Sequence, residues 1–265
     1  MMMDKKQAQE ICQKAISFVK EGQAEVTLTQ TVSPLTRIAN NTIHQNVATS
    51  DLSISLRVDI DGRSGRATAN QWDDESLKNL ARRAAGAARA ITNRQELPPL
   101  MGPQSYREIK SYDPASAEME PEQRAEMVLK AVKLARTEKV ELAGLVSNLA
   151  YHNALANSNG LFAYHRISTL TMEITARSGL AAGRHARMVR SPGQLDPEQV
   201  AGIAIQKCLG GVKPRALEPG EYTVILEPEA VTTPLMFLSW LAFGALAVQE
   251  RSEERRVGKE CRSRW

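Results

Sequence analysis

Apolar residues recur at helical spacing across residues 5–20, where Ala8, Ile11, Cys12, Ala15, Ile16 and Val19 share one face. Gly22 stands where a helix stop is expected. Ala24, Val26 and Leu28 then alternate with Glu25, Thr27 and Thr29, a strand pattern that Pro34 interrupts, and a second extended stretch covers 35–43. The clearest strand is 52–60. Leu52, Ile54, Leu56, Val58 and Ile60 point one way, while Ser53, Ser55, Arg57 and Asp59 point the other, as in an antiparallel sheet with one wet face. Asp61-Gly62 supplies a turn, and residues 63–70 return as the hairpin partner. A helix opens near Asp74, with Leu77, Leu80, Ala81, Ala84 and Ala88 on its apolar side.

Residues 97–114 are rich in proline and polar residues and read as a connector. Pro121 then opens a helix, proline being well suited to a first helical position; its predicted apolar face is Ala125, Val128, Leu129 and Val132. The pattern next repeats itself. Ile38-Ala39-Asn40-Asn41 resembles Leu155-Ala156-Asn157-Ser158, and residues 52–58 resemble 170–176. Arg63-Ser64-Gly65 resembles Arg177-Ser178-Gly179, and the helix start at Asp74 resembles that at Asp196. The expected fold is therefore α+β: two helix–strands–helix units around a mainly antiparallel sheet.

The second unit ends near Gly210-Gly211. Pro214, Pro219 and Gly220 mark a boundary, residues 221–226 are expected to form a strand through Tyr222, Val224 and Leu226, and 230–248 is almost wholly apolar. That last stretch is close to the lower limit of a membrane span. Pro234 and Gly244 interrupt it, and Thr232, Thr233 and Ser239 dilute it, so a buried core helix is expected instead. The organisation expected is an N-terminal domain over 1–216, the truncated start of a second domain over 217–250, and a tail over 251–265.

The tail, RSEERRVGKECRSRW, has no apolar periodicity and resembles a sequencing adapter translated in frame, so it is expected to be non-native. This changes the meaning of the charge. The whole chain carries a formal +4, but the first 250 residues hold 28 basic and 27 acidic residues. Arg82, Arg83 and Arg89 cluster on one helix without aromatic neighbours for base stacking, which reads as a solvated face and excludes nucleic acid as a partner. Cys12 and Cys208 lie among apolar residues with no CxxC spacing and read as buried thiols of a reducing, cytoplasmic compartment. No apolar signal-peptide core follows Met1.

No motif of a catalytic or metal site is found. His44, His152, His165 and His185 fit neither HExxH nor any other ligand spacing. Gly160, Gly179, Gly193 and Gly210-Gly211 suit turns and helix ends rather than a phosphate cradle. Ser64 and Ser178 lack the GxSxG setting of a nucleophile elbow. Asp59 and Asp61 flank a hairpin, where turn chemistry accounts for them. No catalytic, cofactor-binding or metal residue is therefore assigned.

Taken in order, Arg37-Ile38-Ala39-Asn40-Asn41 with Gln45, the alternating strand closed by Asp61-Gly62-Arg63-Ser64-Gly65, and the helix opened at Asp74 through Leu77 resemble the N-terminal domain of the TldD/PmbA family. Residues 217–235, LEPGEYTVILEPEAVTTPL, resemble that family's domain junction. The resemblance covers about residues 5–250. It implies a metallopeptidase subunit. TldD-like members carry a His-Glu-x-x-x-His motif on the first C-terminal helix, where imidazoles on adjacent turns hold zinc and the glutamate serves as base. Residues 230–248 contain neither histidine nor glutamate. By resemblance the chain falls in the PmbA/TldE-like branch: no cofactor of its own, zinc in a TldD-like partner of a heterodimer, and unfolded or modified peptides as substrate, away from any membrane. A stand-alone peptide-binding or scaffold protein is the alternative.

Overall fold

The computed structural model describes residues 3–94 and 96–244. The expected non-native tail, 251–265, lies outside them. The chain divides into two units, Met1–Lys213 and Pro214–Trp265.

The first unit runs α1 (Lys5–Ser17), β1 (Gln23–Ala39), β2 (Thr42–Ile60), β3 (Arg63–Ala69), α2 (Asp74–Ala90), α3 (Pro114–Ala117), α4 (Pro121–Thr137), β4 (Glu141–Asn157), β5 (Phe162–Ser178), β6 (Ala181–Val189), a 3₁₀ turn (Pro192–Gln194) and α5 (Pro197–Gly210). The strands form one antiparallel sheet in the order β3-β2-β1-β4-β5-β6. The expected α+β fold with a repeated unit is what the chain adopts. Each repeat is a helix, a three-strand meander and a second helix, and the repeats join where β1 and β4 run antiparallel from Glu25↔Asn157 to Ile38↔Gly144.

Alternation decides the layering. Ala24, Val26, Leu28, Ile54, Leu56 and Val58 turn inward with Ala8, Ile11, Cys12, Leu77, Leu80 and Ala84 to form one core. Leu142, Val146, Leu170, Met172 and Ile174 do the same with Val128, Ala131, Val132, Val200 and Ala204. Burying a valine, leucine, isoleucine or methionine side chain contributes about 2 kcal/mol. The opposite residues of β1, among them Thr27, Thr29, Thr31 and Ser33, stay half-exposed. The helix starts are fixed by side-chain caps: Asp4 on Gln7 N, Asp73 on Ser76 N, and Asp196 on the amides of Glu198 and Gln199.

Several expectations need correction. Pro34 does not end its strand. β1 pairs continuously with β2 through Pro34↔Ala48, while its register to β4 passes over Ser33 and Pro34, so the missing N–H falls where the ladder to β4 is open. The stretch 35–43 is two strands, because Asn40 and Asn41 both take positive φ (51° and 58°) and make a two-residue hairpin turn. Arg63-Ser64-Gly65 does not match Arg177-Ser178-Gly179. Gly65 pairs with Val58 and Gly183 with Ala176, so the true equivalent lies farther along the chain, at Ala181-Ala182-Gly183. In both places a Cβ would strike the following helix, 2.1 Å from Ala88 N at Gly65 and 2.3 Å from Ala204 O at Gly183. On α4 the buried face is Arg124, Val128, Ala131, Val132 and Ala135, and Leu129 is 59% exposed.

In the second unit, residues 221–226 do not form a strand: Tyr222, Val224 and Leu226 are exposed and no neighbouring strand pairs with them among the described residues. The expected buried helix is α6 (Pro228–Leu241), with Pro234 inside it, and none of its described residues is buried. An apolar helix is covered only if another element supplies the surface. Residues 245–248 of the expected helix lie outside the described part.

Candidate functional site

Between the two cores the inward face of the sheet turns polar. Gln30, Thr36, Asn148, His152 and Ser168 are all buried there, together with Arg124 from α4. Strand pairing sets Gln30 directly opposite His152 and His152 opposite Arg166. Buried polar groups are costly unless satisfied, and here the partners come from segments that cross the seam.

At one end the seam grips the backbone of Met3. The amide of Met3 donates to Gln30 Oε1 at 2.8 Å. His152 Nδ1 lies 2.8 Å from the Met3 carbonyl, and the Tyr164 hydroxyl donates to the same oxygen at 3.1 Å. A carbonyl only accepts, so Nδ1 carries the imidazole proton. Nε2 is buried without a hydrogen-bond partner among the described residues. Burial holds the His152 pKa below its ordinary 6.5, and the nearby Arg166 charge acts in the same direction, against the Met3 hydrogen bond. The Tyr112 ring meets His152 edge-on at 5.6 Å and is itself capped by the Arg166 guanidinium at 4.2 Å. Burial also raises the hydroxyl pKa of Tyr112 and Tyr164.

At the other end Arg124 fills the seam. Its guanidinium donates to Asn148 Oδ1 at 2.8 Å, the Met119 carbonyl at 2.7 Å, Thr36 Oγ1 at 3.2 Å and Asn46 Oδ1 at 3.3 Å. Burial lowers its pKa, and Glu120 and Glu122 oppose that shift. Ser168 binds the backbone of Asp113 twice, accepting from its amide at 2.7 Å and donating to its carbonyl at 3.1 Å. The seam thus clamps the approaches to α1 and α4. Its one hydroxyl beside an imidazole among the described residues, Tyr164 at 3.0 Å from His152 Nδ1, also donates to the Met3 carbonyl, and the chemistry of the seam is that of holding main chain.

The other residues singled out in the sequence are scattered. His44 is exposed on β2, and His165 Nε2 lies 3.3 Å from Ser111 Oγ. His185 sits on β6 opposite Ile174. Ser64 pairs across from Asp59, and Ser178 ends β5. Asp59 and Asp61 face different arginines, Arg57 at 3.4 Å and Arg63 at 3.5 Å. Gly160 and Gly179 take positive φ in their turns. Arg82, Arg83 and Arg89 bind Asn79 Oδ1, the Thr68 carbonyl and Glu21 respectively, and two of them line an open cleft of about 490 Å³ floored by Phe18, Val19 and Ala85. Both described cysteines are buried, and burial pushes the Cys12 thiol up to about 12. Among the described residues no three His, Cys, Asp or Glu side chains come together as a metal site, so these residues do not fit zinc. No helix among them is long and apolar enough to cross a membrane.

Sequence reading missed the seam. The usable signal was the inward register of β4, where Asn148 and His152 interrupt Leu142, Val146, Ala150 and Ala154.

Geometry defines the class: a duplicated α+β domain whose two meanders share one sheet. The description of PmbA/TldA metallopeptidase domain 1 matches residues 24–88, and that of the PmbA/TldA metallopeptidase central domain matches 114–209. The chain belongs to the PmbA/TldD metallopeptidase family. No curated protein sequence matches it. Among solved structures it resembles TldE from Thermococcus kodakarensis (22% identity, TM-score 0.65, 76% of this chain and 47% of that one). It also resembles two proteins described as candidate modulators of DNA gyrase. One is from Bacteroides thetaiotaomicron (18%, TM-score 0.76, 94% and 60%) and the other from Thermotoga maritima (17%, TM-score 0.68, 80% and 50%). These identities speak for the fold alone, and the chain spans about half the length of the structures it matches.

Proposed function

We propose that this chain is a PmbA/TldE-like, non-catalytic subunit of a cytoplasmic metallopeptidase complex that cleaves unfolded or modified peptides, with zinc held by a TldD-like partner in a heterodimer. The observation that carries the reading is the chemistry of α6. By resemblance this is the helix on which TldD-like subunits present their histidines. Here it reads PEAVTTPLMFLSWL, with one carboxylate, Glu229, in its first turn and otherwise hydrocarbon, thioether, hydroxyl and indole groups, and such a face cannot hold zinc with imidazoles. The fold shared with TldE is compatible with that branch.

The test is co-expression of the chain with a TldD-like subunit, followed by co-purification, zinc analysis and hydrolysis of an unstructured peptide. The expected result is a stable pair, with zinc and activity that disappear when the TldD-like histidines are replaced. Stoichiometric zinc bound by this chain alone, with hydrolysis in the absence of any companion, overturns the reading. Failure to co-purify with the TldD-like subunit overturns the heterodimer.

A further inference from the structure

The long strands β2 and β5 each outrun the short strand that borders them. β3 covers β2 only over Ile54–Ile60, and β6 covers β5 only over Leu170–Ser178. On β5 the remaining edge is strapped by the connector: Ser168 N donates to the Ser111 carbonyl at 3.0 Å, and Ser111 Oγ donates to the Arg166 carbonyl at 2.8 Å. On β2 nothing among the described residues plays that part. Residues 42–53 pair with β1 on one side and leave the other side open.

Exposed strand edges recruit other strands unless charge, proline or a bulge blocks them. The outermost strands follow that rule, with Arg63 and Arg66 on β3 and Arg184 and Arg187 on β6. The open part of β2 does not. Its only bulge lies at the hairpin end, where the register shifts between Arg37 and Ile38. Beyond it, residues 45–53 read QNVATSDLS, with no proline, lysine or arginine and one charge, Asp51. At about 3.3 Å per residue this is an edge of roughly 30 Å.

We propose that residues 45–53 of β2 pair antiparallel with the same residues of a second copy of this chain, joining two six-stranded sheets across a two-fold axis at Thr49. The edge is compatible with itself. A two-fold centred on Thr49 sets Gln45 against Ser53, Asn46 against Leu52, Val47 against Asp51 and Ala48 against Ser50, so the one charge never meets its copy. Because a residue lies on the axis, inward-facing side chains meet inward-facing ones and the helix layers stay on one side. The molecule already uses this solution internally, since β1 and β4 are corresponding strands of the two repeats paired antiparallel. The proposal does not depend on the TldD-like partner.

Thr49 is exposed, so Thr49→Lys and Thr49→Glu leave the fold intact, which a thermal melt checks. The full chain is expected to sediment as a dimer. Each substitution sets two like charges on the axis and is expected to weaken dimerisation at least tenfold, and mixing the two variants is expected to restore it. Amide exchange over 45–53 should slow as concentration rises. A chain that stays monomeric at high concentration overturns the proposal. So does a dimer indifferent to both substitutions, as one held by the exposed face of α6 would be. Protection of 45–53 that appears only when an unstructured peptide is added overturns it in favour of a peptide strand.

Discussion

Gln30 and Asn148 hold the same place in the two repeats, one on β1 and one on β4, and each accepts a hydrogen bond of 2.8 Å at the start of its repeat. What donates is different. In the first repeat it is the main-chain amide of Met3. In the second it is the guanidinium of Arg124, carried on an extra helical turn ahead of the residues that match α1. Ala8, Ile11, Cys12 and Ala15 of α1 have the same spacing as Val128, Ala131, Val132 and Ala135 of α4. The outer edges differ as well, strapped on β5 and open on β2. Duplication copies the backbone plan readily, because alternation and hairpin turns enforce it. The parts that seal the seam and edges follow from whatever chain lies nearby.

The comparison is broken most severely at the two glycines. Gly65→Ala and Gly183→Ala each drive a Cβ into helix backbone and should cost about 3 kcal/mol, read as the shift in urea midpoint. Should one be tolerated and the other not, the helices do not press on the sheet alike. A smaller loss, about 2 kcal/mol, is expected for Arg124→Ala, which strands Asn148 and Thr36 in the interior. Gln30→Ala should cost about 1 kcal/mol. Equal losses at the two sites would mean that the charged donor adds nothing over the amide.

The smallest effect is a slope. His152 is held neutral by burial, so its folded pKa lies below the ordinary 6.5. Below that pH the unfolded chain takes up the proton first. Stability is therefore full above 6.5 and falls as pH drops toward the folded pKa. His152→Gln should flatten that part of the stability–pH curve. An unchanged slope would place the titration elsewhere.

The backbone plan was legible in the letters because burial imposes a period of two on strands such as Leu52 to Ile60. The matching of Arg63-Ser64-Gly65 to Arg177-Ser178-Gly179 failed because identical letters need not share a register, whereas Gly65 and Gly183 share a steric requirement. Leu129 misled because an apolar residue may face water freely, while Arg124, four residues before Val128, entered the interior through hydrogen bonds that no periodicity reveals. The early part of β2 was illegible for a related reason. With neither face buried, nothing selects an alternation there. In the second unit, a strand was expected from the alternation of Tyr222, Val224 and Leu226 and a buried helix from apolar content, but covering them takes a neighbour that the letters do not specify.

The ends of the β1–β4 ladder are stitched by residues far apart in the chain. Asn41 Oδ1 accepts from Leu142 N at 2.8 Å across a separation of 101, and Ser158 Oγ accepts from Ala24 N at 3.1 Å across 134. A ribosome making this protein must finish β4 before β1 gains its second neighbour. Until then the first meander waits with a raw inner margin. Closure demands a large loop entropy before any reward, which makes folding slow and leaves the nascent chain dependent on protection from its neighbours.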